Sequence, residues 1–431
     1  MWFSTWYWLN SAPQAEWDKD FRTIAESGFS HVVLCWGLDL SAFRYRQAES
    51  RYALALCEKY GLKAYLVIWH PSHNTLVLEA KREHRQVDNR GNLRFSLNLF
   101  HRQWRRTQWR GYLHQITRTY KDMKGLGGYV FDDSFGIGPV SEVGPIRSGE
   151  AVAGDFVSYS DYDKAEFRRW LKQKYGSLHN LNRAWGHTRS DGHPEDYRKW
   201  NEIEPPRKIL NERIWDDWVE ARTQWLTEWA SETMRFIREV DPDPAHEVYI
   251  EDEQRALGTF SWPSSDATRP ISLRDVVGVH FGRVVQPFDA VGVYPAFAWD
   301  KPQALEQALA VTENLLSETR RQVGPHKKIV YTFWASDVDV AKREPLTRPT
   351  GQEIIRVTEE AMKLGIRHID YYGYRIGDWR VTLEEWQQLR PGKSRTYPLT
   401  KPLRHKFLDD RPDVLRVLAE FIHRVRNQGG Q

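Results

Sequence analysis

Eight short apolar runs recur along this chain, and most pairs of them are separated by a stretch with helical spacing. The runs span residues 2–9, 31–36, 62–69, 128–131, 247–250, 288–294, 328–334 and 367–372. Helical patterns fill 16–27, 48–59, 102–124, 162–175, 209–240, 303–323, 351–364 and 413–426. Strands that alternate with helices at this spacing indicate parallel βαβ units. The run 31–36 is apolar throughout, as expected of a strand covered on both faces. Eight such units predict an α/β fold, a (β/α)8 TIM barrel with long βα-loop insertions. The polar stretch at about 74–98 and the segment at about 136–206 are too long to be plain connections, so they are expected to fold over a site. The whole chain, 1–431, is read as a single barrel domain.

Composition removes several function classes. Apolar residues make up 40% and charged residues 28% of the 431, which suits a globular protein. The formal charge of +4 gives no case for nucleic acid. No run of eighteen or more apolar residues exists, so no membrane partner is expected. The start, Met1-Trp-Phe-Ser-Thr-Trp-Tyr-Trp-Leu-Asn10, lacks the basic region and cleavage site of a signal peptide, and a cytoplasmic location is expected. Cys35 and Cys57 fall in a strand and a helix and are expected to be buried free thiols. Self-association into a homo-oligomer stays open. The chain carries 20 Trp, 19 Tyr and 18 Phe, a content that suits a core and also stacking on sugar rings.

In a barrel of this kind the chemistry sits at the C-terminal ends of the strands. Those ends carry Trp36, Trp69 with His70, Asp132 with Asp133, Glu251-Asp-Glu253, Tyr294-Pro295, Trp334 through Asp337, and Tyr371 through Asp378. The fourth run delivers two adjacent carboxylates. Burying both charges is costly, so that tip is expected to face a wet cleft, although Asp132-Asp-Ser-Phe-Gly136 also has turn composition. Side chains alternate along a strand, so only one of the pair can point into the barrel mouth. Asp133 is taken as the reactive group and Asp132 as its braced neighbour. Glu251 or Glu253 offers a second carboxylate and Asp337 a third. Trp36, Trp69, Trp334 and Trp379 are platform candidates for a sugar face, with barrel packing as the alternative for each. Tyr294 and Tyr372 are further lining candidates. His70-Pro-Ser-His73 has metal-ligand residues, but no second cluster completes a set. His70 is therefore read as a ligand to a sugar hydroxyl, with no metal and no cofactor. The basic, aromatic segment Arg102 to Arg110 is read as a solvated face ahead of a nucleic-acid or acidic-sugar surface.

The segment from Phe167 to Gly186, with Tyr175-Gly-Ser-Leu178 and Leu181-Asn-Arg-Ala-Trp-Gly186, resembles the family 42 glycoside hydrolases, the β-galactosidase family of clan A. Weaker similarity covers residues 51–63, 128–136 and 288–295. The resemblance implies a (β/α)8 catalytic barrel and carbohydrate as partner. In that family the fourth strand ends in Asn-Glu, the Glu being the acid/base. Here the Asn falls on Asp133 and the Glu on Ser134, or the acid on Asp133 after a slip of one residue. The seventh strand, where the family has a nucleophilic Glu, contains no acid before Asp337. Both catalytic Glu positions of the family are thus altered.

Cleaving a glycosidic bond takes two carboxylates, one of them held protonated. The leading expectation is a glycoside hydrolase, exo-acting because long loops restrict its cleft. The alternatives are a barrel that binds carbohydrate without cleaving it, and a lyase or isomerase barrel that uses the acids with a divalent metal.

Overall fold

The computed structural model describes residues 1–36, 42–69, 80–132, 157–207, 211–252, 279–294, 303–334, 338–339, 344–345, 349–375, 378–382, 400–401 and 408–428. Eight parallel strands close into a barrel. They are β1 (Trp2–Trp8), β2 (His31–Cys35), β3 (Lys63–Trp69), β4 (Leu126–Asp132), β5 (Glu247–Asp252), β6 (Ala290–Val293), β7 (Lys328–Trp334) and β8 (His368–Arg375). Each pairs with its neighbours in chain order, and β8 returns to β1. Helices Gln14–Glu26, Gln47–Lys59, Arg110–Tyr120, Glu212–Arg238, Ala304–Val323 and Gly351–Lys363 alternate with the strands, and Pro412–Gln428 follows β8. Between β5 and β6, where the sequence pattern gave no helix, a single turn of helix forms at Phe281–Val284.

Alternation along the strands divides the core in two. In β2 all five residues are buried, yet Val33 and Cys35 join an inner cluster while Val32 and Leu34 join the outer one beneath the helices. The inner cluster is Trp6, Trp8, Val33, Cys35, Tyr65, Val67, Val130, Tyr249, Ala290 and Val330. Towards the strand starts the rings of Trp2, His31, Tyr65, Tyr249 and His368 pack together at tilted and edge-on angles, with centroids 4.9 Å apart for Trp2 and His31 and 5.2 Å for Tyr65 and Tyr249. The barrel is therefore a packed core, as the fold requires. Much of the aromatic content is packing: Trp104, Trp109, Trp185, Trp215, Trp218 and Trp229 are also fully buried. Both cysteines are buried free thiols.

β4 carries a glycine where it pairs with the start of β5. Gly128 has φ +152°, and a Cβ there would come within 1.9 Å of the Glu247 carbonyl oxygen, so only glycine allows this approach.

Two stretches depart from the sequence reading. Within the polar loop, Arg85–Val87 and Leu93–Leu97 pair as an antiparallel hairpin. Its turn is organised by Asp88, whose Oδ1 accepts from the backbone N–H groups of Arg90 (2.9 Å) and Asn92 (2.7 Å). The hairpin docks on the next insertion, where Asn98 Nδ2 donates to Asp163 Oδ1 at 2.7 Å and the backbone N–H of Tyr159 donates to the Val87 carbonyl at 3.1 Å. The basic segment Arg102 to Arg110 is solvated in part: Arg106 and Arg110 are exposed, as expected, but Arg105 is buried and all four arginines are held in ion pairs. Arg102, Arg105, Arg106 and Arg110 pair with Glu228, Glu232, Glu232 and Glu239 at 3.0, 2.9, 3.0 and 2.9 Å, three acids contributed by helix Glu212–Arg238 and the residue after it.

The motif behind the family resemblance is a structural clasp. Tyr175 Oη (2.7 Å), Trp185 Nε1 (2.7 Å) and Lys174 Nζ (2.6 Å) all donate to the buried carboxylate of Asp217, fixing the insertion to helix Glu212–Arg238.

Candidate active site

The C-terminal rim of the barrel gathers several of the expected residues by backbone register. Asp132, the last residue of β4, is the register partner of Trp69 on β3 and of Glu251 on β5. Glu251 is in turn partnered with Gly292 on β6, and Trp334 at the end of β7 with Tyr372 on β8. The Tyr372 ring lies 5.0 Å from Trp6 in the inner core and 6.4 Å from Tyr294 after β6, so aromatic packing rises from the core towards the rim. Trp379 is in a short strand, Asp378–Thr382, beyond β8. His70, Asp133, Glu253 and Asp337 lie outside the described residues.

Trp36 is not brought to this rim. It is 2% exposed, donates its indole N–H to Ser50 Oγ at 3.0 Å, and packs edge-on against Trp17 at 6.0 Å. The Arg46 guanidinium covers its ring at 5.0 Å. Its place is the outer core, the packing alternative the sequence allowed.

Glu251 is 3% exposed and enters a buried polar network that the sequence did not reveal. The Thr332 hydroxyl on β7 contacts Glu251 Oε1 and also lies 3.3 Å from Asp370 Oδ2 on β8. Asp370 is completely buried and accepts from Ser4 Oγ and from Trp6 Nε1, each at 2.6 Å. Burial pushes the Asp370 carboxyl up to about 6, against the opposing pull of these three donors. Ser4 Oγ also meets His368 Nε2 at 3.0 Å. Burial, with the fields of His31 and Lys328, holds His368 well below the ordinary imidazole range, so it is neutral. One turn of the pleat below Glu251, Tyr249 is kept protonated by burial and by the charges of Glu251 and Asp370. Lower still, Glu247 accepts from Tyr65 Oη at 3.1 Å and pairs with Lys328 at 2.8 Å. Ser4, Asp370 and Thr332 were passed over because each sits singly inside an apolar run. The signal that was available is a lone acid at an inward-facing strand position, a costly residue unless it has partners.

Space beside Glu251 comes from Gly292. A Cβ there would lie 3.0 Å from Glu251 Cγ and 3.1 Å from its Cα. Gly292→Ala is expected to destabilise the fold by about 1–3 kcal/mol, as overpacking does. Denaturant midpoints of the two proteins check the effect.

Among the described residues no three His, Cys, Asp or Glu side chains are grouped to hold a metal ion, and no helix is long and apolar enough to cross a membrane.

Comparison with known proteins agrees with this architecture. The glycoside hydrolase 42 family, described as beta-galactosidase, matches residues 148–266. The beta-galactosidase Bga of Halorubrum lacusprofundi is 23% identical over 215 residues, which is 46% of this chain and 27% of that protein. The beta-galactosidase BgaA of a Thermus species is 26% identical over 219 residues, 48% of this chain and 30% of that protein. The matched stretch thus spans less than a third of either relative. The crystal structure of a beta-galactosidase from the psychrophile Marinomonas ef1 superposes with a TM-score of 0.70 at 14% identity, over 99% of this chain and 60% of that one. The chain is a (β/α)8 barrel similar to the catalytic barrel of family 42 of clan A.

Proposed function

We propose that this chain is a glycosidase that cleaves the glycosidic bond of a glycoside or oligosaccharide with two carboxylates at the barrel mouth. One comes from the end of β4 and the other is Glu251. The observation that carries the reading is the register pairing of Asp132 with Glu251 at the C-terminal end of a barrel that is similar to beta-galactosidases. A glycoside hydrolase needs such a pair on either side of the scissile bond.

The register moves the weight within the β4 pair. Val130 belongs to the inner cluster, and alternation gives position 132 the same parity. We take Asp132, the position that the register sets beside Glu251, as the first β4 carboxylate to test, and Asp133 as the second. Trp69, Trp334, Tyr294, Tyr372 and Trp379 supply apolar faces for sugar rings, and His70 a ligand to a hydroxyl. Exo action belongs to the same proposal. It is supported by the hairpin and the helical insertion, which follow the C-terminal ends of β3 and β4 and dock on each other. A cytoplasmic location accords with two free thiols.

A second reading, carbohydrate binding without cleavage, is favoured by one feature: β7 carries Thr332 and no acid. A panel of α- and β-nitrophenyl glycosides, assayed with and without a chelator, separates the readings. Release of nitrophenol that is indifferent to chelator is the expected result. Binding without release would replace the hydrolase by a lectin-like barrel, and chelator-sensitive turnover would point to a metal-assisted reaction.

A further inference from the structure

The hairpin that follows β3 is closed at its base by two histidines. His84 immediately precedes the first hairpin strand, Arg85–Val87, and His101 comes shortly after the second, Leu93–Leu97. The backbone brings them together. The Asn98 N–H donates to the His84 carbonyl at 2.8 Å, and the His101 N–H donates to the Asn98 carbonyl at 3.1 Å. The two rings meet edge-on with centroids 4.5 Å apart, and the His101 ring stacks on Tyr162 at 4.3 Å. Tyr162 belongs to helix Asp161–Tyr175, so the pair sits where the hairpin docks on the insertion after β4.

Both rings are buried, His84 at 7% exposure and His101 at 9%, and among the described residues neither Nδ1 has a hydrogen-bond partner. A neutral imidazole tolerates this, because its hydrogen goes to Nε2 and Nδ1 keeps a bare lone pair. An imidazolium carries a hydrogen on both nitrogens. Protonation therefore puts a charged donor at a buried position with no acceptor, and the charge loses its water. Burial accordingly holds both imidazoles below their ordinary range, helped at His84 by Lys81 and at His101 by His84 and Arg105. Glu83, and at His101 its own carbonyl, pull the other way without overcoming burial.

We propose that His84 and His101 form a pH-sensitive latch: as neutral rings they seal the base of the hairpin onto helix Asp161–Tyr175, and a proton on either ring releases the hairpin from the insertion. The latch belongs to the two loops alone. Its bearing on substrate rests on the reading of these loops as walls of the cleft, and it goes beyond that reading by giving one wall a trigger. The sign follows from linkage. A base whose value is lowered in the closed state favours closing above about 6.5, the value of a free imidazole. That contribution is lost as pH falls below it.

The other charged groups at the junction do not reproduce this sign. Lys81 and Glu83 flank His84, and Arg102 and Arg105 follow His101. Arg102 is paired with Glu166 at 3.2 Å and Arg105 with Glu232 at 2.9 Å. From helix Asp161–Tyr175, Tyr162 is kept protonated by burial. Asp163, bonded to Asn98 and Ser160, is raised by burial. A raised carboxyl favours the closed state as pH falls, opposite to the histidines, so opening in acid is theirs.

Hydrogen exchange and imidazole NMR on the intact chain test the latch without relying on activity. Amides of the hairpin, 85–97, are expected to exchange faster at pH 5 than at pH 7 once the intrinsic pH dependence of exchange is removed. The increase should be about tenfold for each pKa unit that closure takes from a ring. The imidazole resonances that vanish in His84→Phe and in His101→Phe should titrate below about 6.5 in the unaltered protein. The double variant His84→Phe/His101→Phe keeps a ring on Tyr162 and another beside it but takes up no proton, so its hairpin should be equally protected at both pH values. Rings that titrate at or above about 6.5 overturn the proposal. So does hairpin protection that is the same at pH 5 and pH 7 in the unaltered protein, or acid opening that persists in the double variant. The first two results need no folded variant. If exchange behaves as expected while the preference for short over long glycans is the same at both pH values, the latch stands and the reading of the hairpin as a cleft wall fails.

Discussion

Asp132→Asn is expected to lower kcat by roughly a thousandfold or more while leaving the fold intact. The residue ends β4 and is the register partner of Glu251, so the two positions stand side by side at the rim. The barrel is closed and packed below this level by Trp6, Tyr65, Val67, Val130 and Tyr249, so a substrate can approach only from the C-terminal end. An amide in place of the carboxylate preserves shape and one acceptor but can neither take a proton nor attack. General acid/base catalysis alone contributes about 10²–10⁴ in rate. Asp133→Asn is expected to cost less than tenfold, on the order of the loss of one polar contact. Steady-state kinetics on both variants, with thermal melts to establish folding, separate the two positions. If Asp133→Asn proves the damaging change, Asp133 is the reacting group and the parity argument fails. If neither matters, the β4 pair is structural.

The barrel was legible because its signal is repeated: eight runs of the same kind reinforce one another, and each strand was found to within a few residues. β2 shows why the reading works, since a strand buried on both faces has no polar residue to break the run. The rim was legible only as far as it follows from strand ends. Glu251 was visible because three acids stand together there, whereas Asp370 was hidden as one acid between Ile369 and Tyr371. Its meaning comes from Ser4 and Trp6, more than 360 positions away in sequence and adjacent only once β8 closes on β1. The arginines of 102–110 were legible only in part for a related reason. Their acidic partners are more than 120 residues away, so composition alone presented a charged face that folding neutralises. Trp36 shows the limit of the strand-end rule: one residue past β2 the chain already turns outward, and its indole packs beneath the helices.

The largest expected loss of stability is at Arg375, the last residue of β8. Its guanidinium joins three acids from two distant segments: Glu16 at 2.6 Å, Asp20 at 3.5 Å and Asp409 at 2.8 Å. Asp20 also accepts from Tyr7 Oη at 2.7 Å, so the cluster ties β1, the first helix and the segment before the last helix to the barrel's closing strand. Arg375→Met leaves Asp20 and Asp409 without their cation in a site that is mostly shielded from water. Breaking a buried pair from one side typically costs about 3–5 kcal/mol. The size of the loss should depend on pH, and the sign is fixed by Asp409. Burial raises its carboxyl to about 7 even with Arg375 present, above the value near 3.9 of an unfolded aspartate. A folded-state value raised in this way contributes stability that is present below about 4 and is lost as pH rises through about 7. The penalty of Arg375→Met is therefore expected to be greatest above pH 7, where the orphaned carboxylates are charged, and to shrink as Asp409 takes up its proton. Urea unfolding of the unaltered protein, Arg375→Met and Asp409→Asn at pH 5 and pH 8 tests this. The double variant should recover part of the loss at pH 8, because removing Asp409 removes one of the charges that Arg375 neutralises. Equal penalties at both pH values would mean that Arg375 acts through packing of its aliphatic stem and not through its charge.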